Sequence, residues 1–465
     1  VSRAFALAKR ALEGLGGGHP GGIIRGGGAP PGKAGAKAEL DRVLGGLHGP
    51  DAPRASELVY GVVRRRRTLH ALIGGVARRA LKGKTGELAV ALELGAYALV
   101  FQEAQHRERA TEDALGILTG GKKPHAHVER VLTSLREALE GDPAPQVDAE
   151  LVLAGRAVPV GRGSWQRLRE PVLPLEGASP ARRLGLLHSY PDELAAAWIE
   201  RHGASVAEEI ALAGNDPPPL FIRASAHRTT PALLAARLAE SGLTAEPRPD
   251  LGPHVLELTG GRSSFRDSAA WNEGLFVVQD ATAQEAPLLL APKAGERVLD
   301  LCAAPGGKAT YLAELAGDAA SVLATDVSPG RLRKVEETAR RLGLRSVATR
   351  ALDARRSGSL GGEKLDAVLV DAPCSNTGVL RRRPEARWRY SERSQRKIVA
   401  LAEQILHAAL GLVRPGGRLV YSVCSIEPEE GPDLVRRVAG EPVREIPRLP
   451  SPRGGDGGYA ALLQR

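Results

Sequence analysis

From residue 276 onward the chain alternates short apolar strands with amphipathic helices, and this constrains its fold more than any other feature. Strand candidates are LFVVQD, RVLDL, SVLATD, SVATR, LDAVLVD and RLVYSVC; KATYLAELA, PGRLRKVEETARRLG and QRKIVALAEQILHAAL carry helical spacing between them. Parallel strands need long crossovers, so the repetition predicts a parallel sheet with helices on both faces. Ligands then belong beyond the carboxyl ends of the strands.

The remainder divides by pattern. Residues 1–140 carry apolar residues at three- and four-residue spacings and predict an all-α domain. Within it the Gly- and Pro-rich segment 14–36 reads as a disordered loop. Its GGAPPGKA nearly spells a phosphate loop, but Ala34 stands where a magnesium-binding Ser or Thr is needed and no strand precedes it, so nucleotide triphosphate binding is rejected. Residues 141–185, rich in Pro, Gly and Arg, predict a linker or insertion. Residues 186–275 fit a small α+β unit, and 276–465 the α/β domain, giving a multidomain protein.

With 43% hydrophobic and 25% charged residues the composition is that of a soluble globular protein. The longest apolar candidate, LAVALELGAYALVF at 88–101, is too short for a membrane span and carries Glu93, which suits a buried helix. The N-terminus lacks the order of a signal peptide, and three cysteines with no export signal predict a reducing cytoplasm. A net charge of +10 favours a polyanionic partner, since Lys and Arg on a phosphate backbone release condensed counterions.

The first strand of the α/β region ends in DLCAAPGGK, where Gly306 and Gly307 let the backbone turn sharply and approach a ligand closely. The second ends at Asp326, placed to accept hydrogen bonds from both ribose hydroxyls of an adenosine. Asp353 follows the third strand and suits the adenine amino group; Asp371 ends the fourth. With Asp300, four acids at successive strand ends favour S-adenosylmethionine over a phosphate-bearing cofactor, because carboxylates repel phosphates.

Two of the three cysteines, Cys374 in DAPCSNTG and Cys424 in RLVYSVCS, sit where strands finish beside this cleft. A redox pair favours a close C-x-x-C, whereas these lie 50 residues apart. Carbon-5 of cytosine is too weak a nucleophile to attack a methyl sulfonium until a thiolate adds at carbon-6; afterwards the carbon-5 proton leaves and the thiolate is eliminated. One thiol can attack and the other assist release, and spacing alone does not decide which. Cys302 reads as a packing residue of the cofactor loop. After Cys374, Arg381, Arg382, Arg383, Arg387 and Arg389 interleave with Trp388 and Tyr390, a composition suited to phosphate contacts and base stacking.

With VQDATAQ, DLCAAPGGK, DAPCSNTGVLRRRPE and YSVCSIEPEEG in this order, the chain resembles the RsmB-type rRNA (cytosine-5) methyltransferases. ELVYGVVRRRRTLHALI and ELGAYALVFQEA also resemble the NusB-like RNA-binding domain that precedes the catalytic domain in that family. The resemblance implies a Rossmann-like methyltransferase fold, S-adenosylmethionine as donor and a cytosine of small-subunit (16S) rRNA as acceptor. It implies Cys424 as the nucleophile, Cys374 as the helper of release, and Asp371 as a further contact to the target base. It places the cofactor on Cys302, Ala303, Ala304, Pro305, Gly306, Gly307 and Lys308, with Asp326, Asp353 and Asp371. Arg223 joins the arginine strip as an expected RNA contact, and the expectation is a monomer with no metal and no membrane partner. The chain departs from the family pattern at Val423, Gly431 and GDGGYAALL, none of which touches the thiols. Two other readings stay open: an RNA-binding assembly factor with an inert methyltransferase half, and a small-molecule methyltransferase.

Overall fold

The structure is a computed structural model that describes residues 2–15, 36–44, 51–77, 86–161, 163–261, 264–360, 364–452 and 454–465. Most of the Gly-rich segment expected as a loop, including GGAPPGKA, lies outside the described residues. The chain forms two compact units, one of residues 1–217 with 380–391 and the other of 218–379 with 392–465.

The first unit is mainly helical, as its spacing predicts. Its core is built from Arg3–Gly14, Asp51–Val76, Glu87–Phe101 and Lys122–Ala138. Helix Glu87–Phe101 is buried from Ala89 to Val100 on all sides, which explains its continuous apolar sequence. Glu93 is satisfied inside it by Arg66, at 2.7 and 3.1 Å, and by His70 at 2.6 Å. Burial opposes ionisation there, but the Arg66 cation and the His70 bond outweigh it and hold the carboxyl at about 2.

Residues 141–185 are not the expected linker. With Leu139 and Glu140 they form a three-stranded antiparallel sheet of β1 (Leu139–Ala144), β2 (Ala157–Gly161) and β3 (Ser164–Leu168), in order β1-β3-β2. Val158, Leu168, Val172, Leu173 and Leu175 bury against the helical core, so apolar residues scattered among Pro and Gly suffice where each strand is short. Helices Pro180–His188 and Asp192–Ala213 also belong to this unit.

The second unit carries two sheets. The smaller is antiparallel, ordered β5-β6-β4-β7, from β4 (Phe221–Ala224), β5 (Thr244–Pro247), β6 (Val255–Gly260) and β7 (Phe276–Val278), with helix Pro231–Ala239 after β4. LFVVQD therefore pairs with β4 and does not enter the parallel sheet.

The larger sheet has seven strands: β8 (Arg297–Leu301), β9 (Ser321–Asp326), β10 (Val347–Ala351), β11 (Leu365–Asp371), β12 (Val413–Val423), β13 (Arg444–Arg448) and β14 (Gly458–Gln464). Their order is β10-β9-β8-β11-β12-β14-β13, parallel through β12 and antiparallel at the β14–β13 edge. Period-two alternation divides the strand side chains between two cores. Leu299, Val368, Val370, Leu419 and Tyr421 pack with helix Glu392–Leu410, while Val298, Ala367, Leu369 and Val420 pack with Ala281–Leu290 and Gly307–Leu315. The order reverses between β8 and β11, which opens a crevice beyond their carboxyl ends.

Candidate active site

The loop after β8 takes the sharp course that DLCAAPGGK predicts. Gly306 has φ 104°, and a Cβ there would come within 2.9 Å of the Val335 Cα, so both conformation and space require glycine. Ala303 N–H donates to the Thr325 carbonyl at 2.7 Å, which ties the loop to β9. Burial pushes the Cys302 thiol up to about 12, with Asp371 adding to it, in keeping with a packing residue and not a nucleophile.

Acids ring the crevice. Asp326 is buried at the end of β9, accepts from Ser328 N–H at 2.9 Å and pairs with Arg331 at 3.1 Å. Asp353 is held at about 2, chiefly by its bonds from Arg355. Asp371, ending β11, pairs with Lys308 at 2.5 Å. Burial works against the Lys308 ammonium, but Asp371 outweighs it and leaves Lys308 more basic than an ordinary lysine.

Asp300 is the residue whose weight sequence reasoning missed. It is 0% exposed, and neither carboxylate oxygen has a hydrogen-bond partner among the described residues. Burial, then repulsion from Asp371, pushes its carboxyl well above the usual range. A glycine cradle with acids at the ends of β9 and β11 fits a cationic adenosine-bearing donor and opposes a phosphate, and the buried carboxyl of Asp300 leaves polar atoms without a partner beside it.

The two thiols meet. Cys374 Sγ lies 3.2 Å from Cys424 Sγ, and Asn376 Oδ1 is 3.4 Å from the Cys424 sulfur. The bond to Cys424, reinforced by burial, raises the Cys374 thiol well above its ordinary value. The loops that carry them are laced together. Ser375 N–H donates to Glu430 at 2.8 Å, Ser425 Oγ lies 3.3 Å from Ser375 Oγ and 3.0 Å from Thr377 Oγ1, and Gly378 N–H donates to the Cys424 carbonyl at 3.1 Å. Beside Cys424 a cavity of about 120 Å³ is lined by Lys308, Thr282, Asp280, Asp456 and Tyr459. Among the described residues no group of His, Cys, Asp and Glu is arranged to hold a metal.

The expected RNA contacts need correction. Arg381, Arg387, Trp388 and Arg223 are buried. Arg387 donates to the carbonyls of Arg64, Ser189 and Gly214 and to Asn215 Oδ1 at 2.9–3.1 Å, and stacks 4.1 Å from the Tyr190 ring centroid. Trp388 donates to the Val63 carbonyl at 3.1 Å, and Arg381 gives its own carbonyl to Arg64 at 2.8 Å. These side chains fasten residues 380–391 into the first unit. From the strip Arg382, half-buried, and Arg383 and Arg389, both exposed, reach solvent. Arg223 lies under the cofactor loop in the second unit.

The comparisons agree with this geometry. Residues 287–441 match the 16S rRNA methyltransferase RsmB/F family and residues 190–263 the ferredoxin-like domain of RsmF/B-like methyltransferases. The probable ribosomal RNA small subunit methyltransferase B of Synechocystis is 32% identical over 84% of this chain and 81% of its own. The chain belongs to the RsmB/F family. The ribosomal RNA small subunit methyltransferase B of Klebsiella pneumoniae is likewise 32% identical, over 89% of this chain and 90% of its own. The crystal structure of a methyltransferase homolog from Pyrococcus horikoshii covers 62% of this chain and 99% of its own, with 26% identity and a TM-score of 0.54.

As a member of RsmB/F, the chain is an S-adenosylmethionine-dependent methyltransferase of a small-subunit rRNA family. The family supplies no reason for an inert catalytic half, and the small-molecule reading falls with it. Two of the chain's departures from the family pattern lie side by side: a Cβ on Gly431 would come within 3.1 Å of the ring of Tyr459, in the GDGGYAALL stretch.

Proposed function

We propose that this chain methylates carbon-5 of a cytosine in 16S rRNA through a covalent adduct on Cys424. The observation that carries the reading is the pair of thiols 3.2 Å apart beside the Lys308–Asp371 ion pair. Cys374, its thiol raised, keeps its proton, and at 3.2 Å from the Cys424 sulfur it is placed to donate to a thiolate formed there. That thiolate adds to carbon-6 of the base, and the electron pair moves to carbon-5. S-adenosylmethionine supplies the methyl cation that carbon-5 accepts. Carbon-5 then gives up its proton to water, the freed electron pair re-forms the carbon-5–carbon-6 double bond, the carbon–sulfur bond breaks with its pair on Cys424, and Cys374 assists by returning a hydrogen bond to the departing sulfur. Asp371 and Lys308 hold the base, which has to leave its stack to reach the thiols.

The loop 302–308, Asp326 and Asp353 form the donor site in this reading, and the helical first unit serves as the NusB-like RNA-binding domain. Arg382 and Arg383 supply the phosphate contacts of the arginine strip. The test is transfer of labelled methyl to a 16S rRNA transcript and to immature subunits by wild type, Cys424→Ala and Cys374→Ala, with denaturing gels for covalent complexes. The expected result is turnover by wild type alone, with an RNA-linked protein accumulating in Cys374→Ala. Full activity of Cys424→Ala would sink the mechanism.

A further inference from the structure

Arg223 sits on β4, in the smaller sheet, yet every bond of its guanidinium serves the cofactor loop and its surroundings. Nη1 donates to the Gly307 carbonyl at 2.7 Å and to Gln279 Oε1; Nη2 pairs with Glu314 at 3.2 Å and reaches Thr310 Oγ1 at 3.4 Å. The guanidinium lies 4.3 Å from the Tyr311 ring centroid. Glu314, also buried, is held in turn by Ser225 Oγ at 3.2 Å and Ala226 N–H at 3.3 Å.

Stability alone is a poor account of this arrangement. Burial penalises the Arg223 cation, and a buried ion pair can often be replaced by neutral groups without loss. What a guanidinium fork adds is simultaneous hold on several acceptors in a fixed plane. The acceptor of consequence is the Gly307 carbonyl, at the first residue of helix Gly307–Leu315 and between Gly306 and Lys308.

We propose that Arg223 is a positioning residue for the methyl donor: it ties the Gly307 carbonyl to β4 and Glu314 and so fixes the turn 306–308. That turn sets where the loop backbone meets the donor and where Lys308 meets Asp371. The inference rests on the reading that residues 302–308 hold S-adenosylmethionine. It also explains why an arginine that faces no solvent stands in a ferredoxin-like sheet of an RNA-modifying enzyme.

The experiment uses the full chain and the variants Arg223→Lys, Arg223→Met/Glu314→Gln and Asp326→Asn. It measures S-adenosylmethionine binding by titration calorimetry, melting temperature, transcript binding, and kcat and KM for the donor. The double variant removes both buried charges but leaves Gln279 Oε1 without its guanidinium donor, so it is expected to melt below wild type yet still fold, and to bind the donor ~10-fold more weakly, as loss of one buried hydrogen bond implies. KM for the donor rises with it, kcat at saturating donor falls by less than KM rises, transcript affinity holds, and Arg223→Lys, which keeps the ion pair without the fork, falls between. If the double variant does not fold, Arg223→Lys carries the test alone. A folded double variant, or failing that Arg223→Lys, with wild-type donor affinity overturns the role of Arg223 if Asp326→Asn still weakens binding. If Asp326→Asn also binds normally, the placement of the donor falls and the inference with it.

Discussion

Cys374 Sγ and Cys424 Sγ stand 3.2 Å apart because β11 and β12 are parallel neighbours, with Asp371 opposite Ser422, and so finish at the same edge of the sheet. Antiparallel neighbours would have sent the two thiols to opposite edges.

This proximity makes the pair vulnerable to a two-electron oxidant such as a diazene dicarboxamide. Both thiols give up their protons and electrons, a disulfide forms, and the oxidant becomes the hydrazine. Methyl transfer by wild type is expected to stop and to return on adding dithiothreitol. Mass measurement of peptides should find the 374–424 bridge; recovery without it would mean that the sulfurs do not approach in solution.

Asp326→Asn removes a charged acceptor from the donor crevice. Donor affinity is expected to fall by about 1 to 3 kcal/mol, the worth of a charge-assisted hydrogen bond. Titration calorimetry reads it directly, and unchanged affinity would move the ribose away from β9.

Asp300 gives a pH signature. Its carboxyl is raised by burial and by Asp371 and Asp326, with Lys308 opposing them, so the folded chain holds a proton that the unfolded chain has lost. Folding stability from this group is therefore full below the ordinary carboxylate range. It declines by about 1.4 kcal/mol for each step of one in pH until the raised value is passed. Asp300→Asn is expected to flatten that decline, with a higher melting temperature than wild type near neutrality and little difference in acid. Parallel melting curves across pH would expose an Asp300 that is ionised in the folded state.

Arg387 separates a structural arginine from an RNA contact. Arg387→Met leaves buried carbonyls unpaired and is expected to cost about 3 to 5 kcal/mol in denaturant unfolding. The salt dependence of transcript binding should keep its slope, whereas loss of a phosphate contact would reduce it by about one.

The parallel sheet was legible because strands such as β11 are nearly continuous apolar runs and the crossovers after β8, β9 and β11 carry helices. Strands β13 and β14 escaped notice because REIPR is mostly polar with a proline suited to an edge, and GYAALLQ follows it with no helix between them. The thiols were legible as a pair of strand-end cysteines, but their contact follows from strand order. Arg387 and Arg223 were misread for one reason. Guanidinium groups in a basic strip look solvated in sequence, and their acceptors here are backbone carbonyls contributed by residues such as Ser189 and Gly307, far away along the chain. Asp300 looked like one acid among four, and only its missing partners set it apart.

Residues 380–391 belong to the first unit although the chain on either side, through Val379 and from Glu392, belongs to the second. The gene therefore writes one piece of the helical unit inside the catalytic sequence, between the two cysteines. No single cut yields both halves whole: a fragment beginning at 218 carries Arg387 and Trp388 without the carbonyls that bind them, and its complement lacks both. Those twelve residues therefore complete the first unit only while the chain remains one piece.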